Sequence, residues 1–69
     1  MPLRLELLTI GNELLDGRVV DSNTATIANA LGPLGLIPSR RLTLPDEQPV
    51  LVEAFKDIAA RADVCIASG

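Results

Sequence analysis

Three short apolar runs alternate with two segments of helical periodicity, joined by connections of only two to seven residues, and this order leaves few architectures open. Over residues 3–10, Leu3, Leu5 and Leu7 alternate with Arg4 and Glu6, and Leu8 and Ile10 then make the second side apolar. That is the pattern of a strand whose end is buried on both faces, as parallel strands usually are. After the cap-forming Asp21, Ser22 and Asn23, the residues Ile27, Ala30, Leu31 and Leu34 fall at helical spacing, which predicts a helix over 23–34. Pro33 weakens its last turn, and Gly35 suits a left-handed cap.

A second strand is predicted over 36–44, polar in its middle at Ser39, Arg40 and Arg41, with Pro38 pointing to an edge position or a bulge. Pro45, Asp46, Glu47 and Gln48 form a turn and acidic cap, with Pro49 suited to a first helical turn. Leu51, Ala54, Phe55, Ile58 and Ala62 then mark the apolar stripe of the strongest helix, and a continuous apolar run over 64–67 marks a third strand. Strand, helix, strand, helix, strand with short connections implies a parallel sheet with right-handed crossovers, an α/β three-layer fold. In the spatial order 2-1-3 the helices cover opposite faces, and ligands bind beyond the carboxyl ends of the strands. Three segments meet there: 11–23, 45–47 and 68–69.

Composition narrows the chemistry. At 48% hydrophobic the chain is too apolar for a disordered segment. A domain of 69 residues buries only about 60% of its extended surface, so independent stability is expected to be marginal. There is no histidine, which removes Ser-His-Asp and Cys-His catalysis and imidazole metal ligation. Phe55 is the single aromatic residue, which nearly excludes stacking on protein rings. Cys65 is the single cysteine and is expected as a buried, reduced core residue. A net charge of -3 with no basic cluster beyond Arg40 and Arg41 argues against nucleic-acid binding. No apolar run approaches the ~18 residues of a membrane span and no signal peptide is recognisable, so no membrane association and a cytoplasmic location are expected.

The segment Gly11-Asn12-Glu13-Leu14-Leu15-Asp16-Gly17, followed by Asp21-Ser22-Asn23, joins the first strand to a helix N-terminus, where unpaired N–H groups suit a phosphate or carboxylate. It is read as a loop with room for one helical turn at 13–15. It carries neither G-x-G-x-x-G nor GK[ST], so the dinucleotide fingerprint and the P-loop are absent. The glycines equally serve turns, with Asp21 or Ser22 capping the helix. Glu13 stands where a carboxylate orients ribose hydroxyls, or else binds backbone N–H groups of its own loop. Asp46 suits metal binding, water activation or the positioning of a hydroxyl, against the commoner fate of a turn or cap carboxylate. Ser68-Gly69 is half of a glycine-rich phosphate loop. Arg40 and Arg41 read as solvated strand residues, and Arg18 is a slightly better phosphate candidate.

The run G-N-E-L-L-D-G-R-V-V-D-S-N resembles the opening signature of the CinA family (competence/damage-inducible protein A), close to G-x-E-[LI]-L-x-G-x-x-x-D-[ST]-N. The likeness continues through Leu44-Pro45-Asp46-Glu47 and Ala62-Asp63-Val64-Cys65-Ile66-Ala67-Ser68-Gly69 and covers essentially the whole chain. It implies a MoaB/Mog-like molybdopterin-binding fold, shared with MoaB, MogA, MoeA and a module of some FAD synthases, of which residues 1–69 are the first part. It also implies a nucleotide-like or pterin ligand, ADP-ribose or molybdopterin, in a metal-dependent ADP-ribose pyrophosphatase of pyridine-nucleotide recycling. The rival is a molybdopterin-binding module of molybdenum cofactor biosynthesis, or a non-catalytic binding remnant.

Carried over by position, Gly11, Glu13, Asp21 and Asn23 belong to the first pocket loop and Asp46 to the reacting phosphate; position 12 is variable in the signature, so Asn12 rests on placement alone. Ser68 and Gly69 complete the substrate-binding set. Family members continue after Ser/Thr-Gly with Gly-x-Gly-Pro-Thr and two aspartates that hold metal. Residues 1–69 stop at Gly69, so they are expected to be inactive alone, with a divalent metal ion and a homo-oligomer expected of the parent protein.

Overall fold

The computed structural model describes residues 3–69. Its chain order is β1 (Leu5–Ile10), α1 (Asn12–Leu15), α2 (Ser22–Leu31), a 3-10 turn (Gly32–Leu34), β2 (Arg40–Leu44), α3 (Gln48–Arg61) and β3 (Val64–Ser68). The strands form one parallel sheet, the expected α/β arrangement, and the structure selects the order β2-β1-β3, with β3 on the opposite side of β1 from β2. β1 is central, with Glu6 opposite Arg40 on β2 and Cys65 on β3, and Thr9 opposite Thr43 and Ser68.

Side-chain alternation assigns the helices to opposite faces. Thr9 reaches Asp21 at the start of α2, so Leu5, Leu7 and Thr9 face that helix. Glu6 reaches Arg61 on α3, so Glu6, Leu8 and Ile10 face the other way. The fully buried apolar residues are Leu5, Leu7, Leu8 and Ile58, a core concentrated on the middle strand. Burial of both faces of β1 accounts for the near-continuous apolar pattern of its second half.

Several boundaries move for identifiable reasons. β1 begins at Leu5 rather than Leu3, which is 46% exposed. α2 begins one residue early, at Ser22, because Asp21 takes the cap, and it ends at Leu31; Pro33 lies within the 3-10 turn that follows. Gly35 closes that turn at φ 76, as its left-handed preference requires. The inward stripe of α2 is Thr24, Ile27, Ala28 and Leu31, whereas the predicted Ala30 and Leu34 point outward. β2 begins at Arg40: the stretch 36–39 after Gly35 approaches β1 through a hydrogen bond from the Ser39 N–H to the Leu5 carbonyl without joining the strand itself. α3 starts at Gln48, which the sequence assigns to the turn, and ends at Arg61 with Ala62 as its C-cap; Phe55 stays 43% exposed, and β3 gains Ser68.

Of the polar residues at 39–41, Arg41 is exposed as expected, but Arg40 is not a solvated residue. Glu6, 3% exposed, accepts from Arg61 through Nε at 2.8 Å and Nη2 at 3.0 Å, a two-pronged pair, and from Arg40 through Nε at 3.0 Å. Asp57 accepts from Arg61 one helical turn away at 2.6 Å. This network ties α3 to the sheet through charge where a larger domain would use apolar packing, and it corrects the reading of Arg40 as solvated. Cys65 is half-buried rather than a core residue. Burial and then the neighbouring Glu6 carboxylate push its thiol pKa up, so it remains protonated and is no activated nucleophile. No helix among the described residues is long and apolar enough to cross a membrane.

Candidate functional site

At the carboxyl edge of the sheet lies a cleft of about 120 Å³, lined on its polar side by Thr9, Glu13, Asp21, Ser22, Asn23, Ser68 and Gly69. Strand register sets Thr43, Thr9 and Ser68 at equivalent positions on β2, β1 and β3, a row of hydroxyl residues of which Thr9 and Ser68 line the cleft. Thr9 and Thr43 are 2.9 Å apart, and Thr9 Oγ1 lies 3.2 Å from Asp21 Oδ2, so a relay in which Thr43 donates to Thr9 and Thr9 donates to Asp21 satisfies both hydroxyls.

Asp21 is the N-cap of α2. Its Oδ1 accepts from the Thr24 N–H at 3.1 Å and its Oδ2 from the buried Thr24 hydroxyl at 2.6 Å. The Thr24 hydroxyl is the largest cause holding the Asp21 carboxyl below its ordinary pKa; the Thr24 N–H, Thr9 and the more distant charge of Arg41 act the same way against the cost of burial. Both Asp21 oxygens are thus used inside the protein, and the capping alternative raised by the sequence is realised. Its contribution to the cleft is to hold the start of α2, with Ser22 and Asn23, against β1.

Glu13 lies on α1, the single turn anticipated at 13–15, which starts one residue earlier at Asn12. Among the described residues nothing donates to its carboxylate, so the alternative in which it binds N–H groups of its own loop is not formed. The carboxylate instead folds over Gly11: a Cβ at that position would stand 2.5 Å from Glu13 Oε1. Gly11 leaves room for this close approach, its φ of 162 being ordinary extended backbone. Gly11→Ala is expected to swing Glu13 out of the cleft, weakening ligand binding about tenfold while changing stability by less than ~1 kcal/mol, since the carboxylate is the free end of a flexible chain. Isothermal titration beside a urea melt checks this, and unchanged affinity would refute it.

The structure gathers Glu13, Asp21, Asn23, Ser68 and Gly69 around one cleft and leaves Gly11, Asn12 and Asp46 off its lining. Asp46 is exposed in the loop after β2, where its N–H donates to Asn12 Oδ1 at 3.2 Å. It does not cap α3; Glu47 holds that position without a side-chain bond. Asn12 therefore positions the Asp46 loop. Arg18 is spent on an exposed ion pair with Asp16 at 2.7 Å and offers no phosphate clamp to the cleft. Thr9 is the lining residue that sequence reasoning missed; the signal was available, since it is the polar member of the Leu5, Leu7 alternation at the carboxyl end of the central strand. Among the described residues no three metal-ligating side chains come together.

A parallel sheet in the order 2-1-3, with a cleft where the first strand passes through a short turn to a capped helix, defines an α/β domain of the kind that holds ligands at its switch point. Residues 6–69 match the family described as "Probable molybdopterin binding domain", and the chain belongs to it. It is 40% identical over 67 residues to a CinA-like protein of Shewanella frigidimarina and 42% identical over 67 residues to one of Geobacter metallireducens, covering 97% of this chain and 16% of each relative. A protein of Pyrobaculum calidifontis is 46% identical over 63 residues, 91% of this chain and 24% of its own length. The chain thus spans about a quarter or less of these relatives. The crystal structure of the protein CinA from Thermoplasma acidophilum superposes with a TM-score of 0.88 at 31% identity, covering 99% of this chain and 40% of that one.

Proposed function

We propose that this domain forms the binding wall of a site for a phosphorylated nucleoside, and that the protein hydrolyses the pyrophosphate of a nucleoside diphosphate such as ADP-ribose in the cytoplasm. The observation that carries the reading is the pairing, in one cleft, of a free carboxylate with the start of a capped helix. Glu13 is an acceptor with no partner among the described residues and suits ribose hydroxyls. Ser22 and Asn23 stand at the N-terminus of α2, whose dipole favours a phosphate. At about 120 Å³ the cleft is smaller than the ~300 Å³ at which ligand pockets commonly begin, so it takes one portion of an extended ligand. Asp46, outside the lining, is assigned to the water that attacks phosphorus; the P–O–P bond breaks to give AMP and ribose 5-phosphate.

The test follows release of AMP from ADP-ribose by the protein with and without added magnesium. Among the described residues the Asp46 side chain makes no hydrogen bond, so Asp46→Asn is expected to fold normally and lose at least about tenfold in turnover. Unchanged turnover would remove Asp46 from the reaction. Molybdopterin binding is the second reading, favoured by the family match over 6–69; tight pterin binding with no hydrolysis of ADP-ribose would select it.

A further inference from the structure

The polar cleft has an apolar lip. Leu14, Val19 and Val20 line the same cavity as Glu13 and Asn23, and Val20 is 85% and Val19 50% exposed. Among the described residues Val20 is left almost wholly in water and Val19 is half-exposed at the mouth of a polar cavity. Their loop is nevertheless held. Gly17 takes the left-handed turn at φ 84, Arg18 closes on Asp16 with its N–H at 3.0 Å and its Nε at 2.7 Å, and the Val19 N–H donates to the Glu13 carbonyl at 3.0 Å. The single aromatic side chain, Phe55, is on α3, the helix of the opposite sheet face, so no ring is available beside this cleft.

We infer that Val19 and Val20 form an aliphatic shelf that carries the planar fused-ring heterocycle of the ligand, an adenine or a pterin, while the cleft behind it takes the polar portion. This rests on the small-molecule reading of the cleft proposed above and deepens it by naming how the ring is recognised. The occupant follows from continuity: a ligand too large for the cleft leaves it across the two valines, and a flat apolar face is what such a surface removes from water. The shelf discriminates for a ring and is indifferent to the sugar phosphate.

The experiment measures binding of ADP-ribose, ribose 5-phosphate and neopterin to the protein and to Val20→Ser and Val20→Ile. Val20→Ser is expected to weaken the ring-bearing ligand about fivefold, leave ribose 5-phosphate unchanged and keep the melting temperature; Val20→Ile retains the native affinity. If ADP-ribose fails to bind the native protein while neopterin binds and loses affinity in Val20→Ser, the shelf stands and the nucleotide reading falls. Equal losses for ADP-ribose and ribose 5-phosphate, or no loss for any probe, overturn the shelf. So does a change in oligomeric state with ligand affinities intact, which would show that the valines cover another protein surface. Binding of none of the three probes by the native protein overturns the shelf and the cleft together.

Discussion

Glu6→Ala is expected to lower the unfolding free energy by about 3 kcal/mol, the largest effect of any single polar substitution in this chain. Glu6 is 3% exposed and receives Arg61 through two nitrogens and Arg40 through two more, Nε at 3.0 Å and Nη2 at 2.9 Å. Removing it leaves two guanidinium groups that converge on one another with only Asp57 to share, at 2.6 Å from Arg61 and 3.7 Å from Arg40. Breaking a fully buried pair costs about 3–5 kcal/mol; here the arginine side chains are 38% and 32% exposed and regain some hydration, which sets the lower end of that range. Urea denaturation checks it, and a loss under about 1 kcal/mol would show that α3 is held by packing alone. The double variant Glu6→Leu with Arg61→Met separates the pair from the charge: replacing both partners by apolar side chains is expected to recover most of the loss.

Asp21→Ala follows at about 2–3 kcal/mol, from loss of the helix cap at ~1 kcal/mol and of the acceptor for the buried Thr24 and the Thr9 hydroxyls. Asp21→Asn keeps a capping oxygen and is expected to retain roughly half of the stability while losing its pH dependence. The carboxyl pKa is lower in the folded protein than its ordinary 3.8, so the folded state favours the ionised form. That stabilisation is complete above the unfolded-state pKa and is lost as pH falls through the folded one, in the window below about pH 4. Melting temperature against pH should fall on acidification for the native protein and fall less for Asp21→Asn; parallel curves would sink the assignment. Because Asp21 aligns α2 with β1, the alanine variant also disorganises Ser22 and Asn23 at the cleft.

The order of elements was legible because each segment carries a local signal: alternation at 5–10, cap residues before 22, a proline beside the start of α3. The ends of α2 and β2 were less legible, since the apolar count at Ala30, Leu34 and Leu36 ignores which way the helix is turned. Thr24 decided that rotation. As the partner of Asp21 it faces the sheet, bringing Ala28 inward and sending Ala30 out. The cleft was legible as three converging segments, but the split between Glu13, Asn23 and Ser68 on its lining and Asp46 with Asn12 outside it depends on the angle between chain ends.

The sequence by itself determined a parallel α/β fold and the turn that meets the ligand edge, because periodicity, caps and short connections are properties of neighbours along the chain; the central place of β1 came from the tertiary structure. Tertiary structure alone decided that Arg40 and Arg61 converge on the buried Glu6, that Thr43, Thr9 and Ser68 make one row of hydroxyls, and that two valines rim the cleft. Those facts depend on register between strands and on which face each helix covers. Register couples residues 34 and 55 positions apart in the network, and such pairings leave no mark in local pattern.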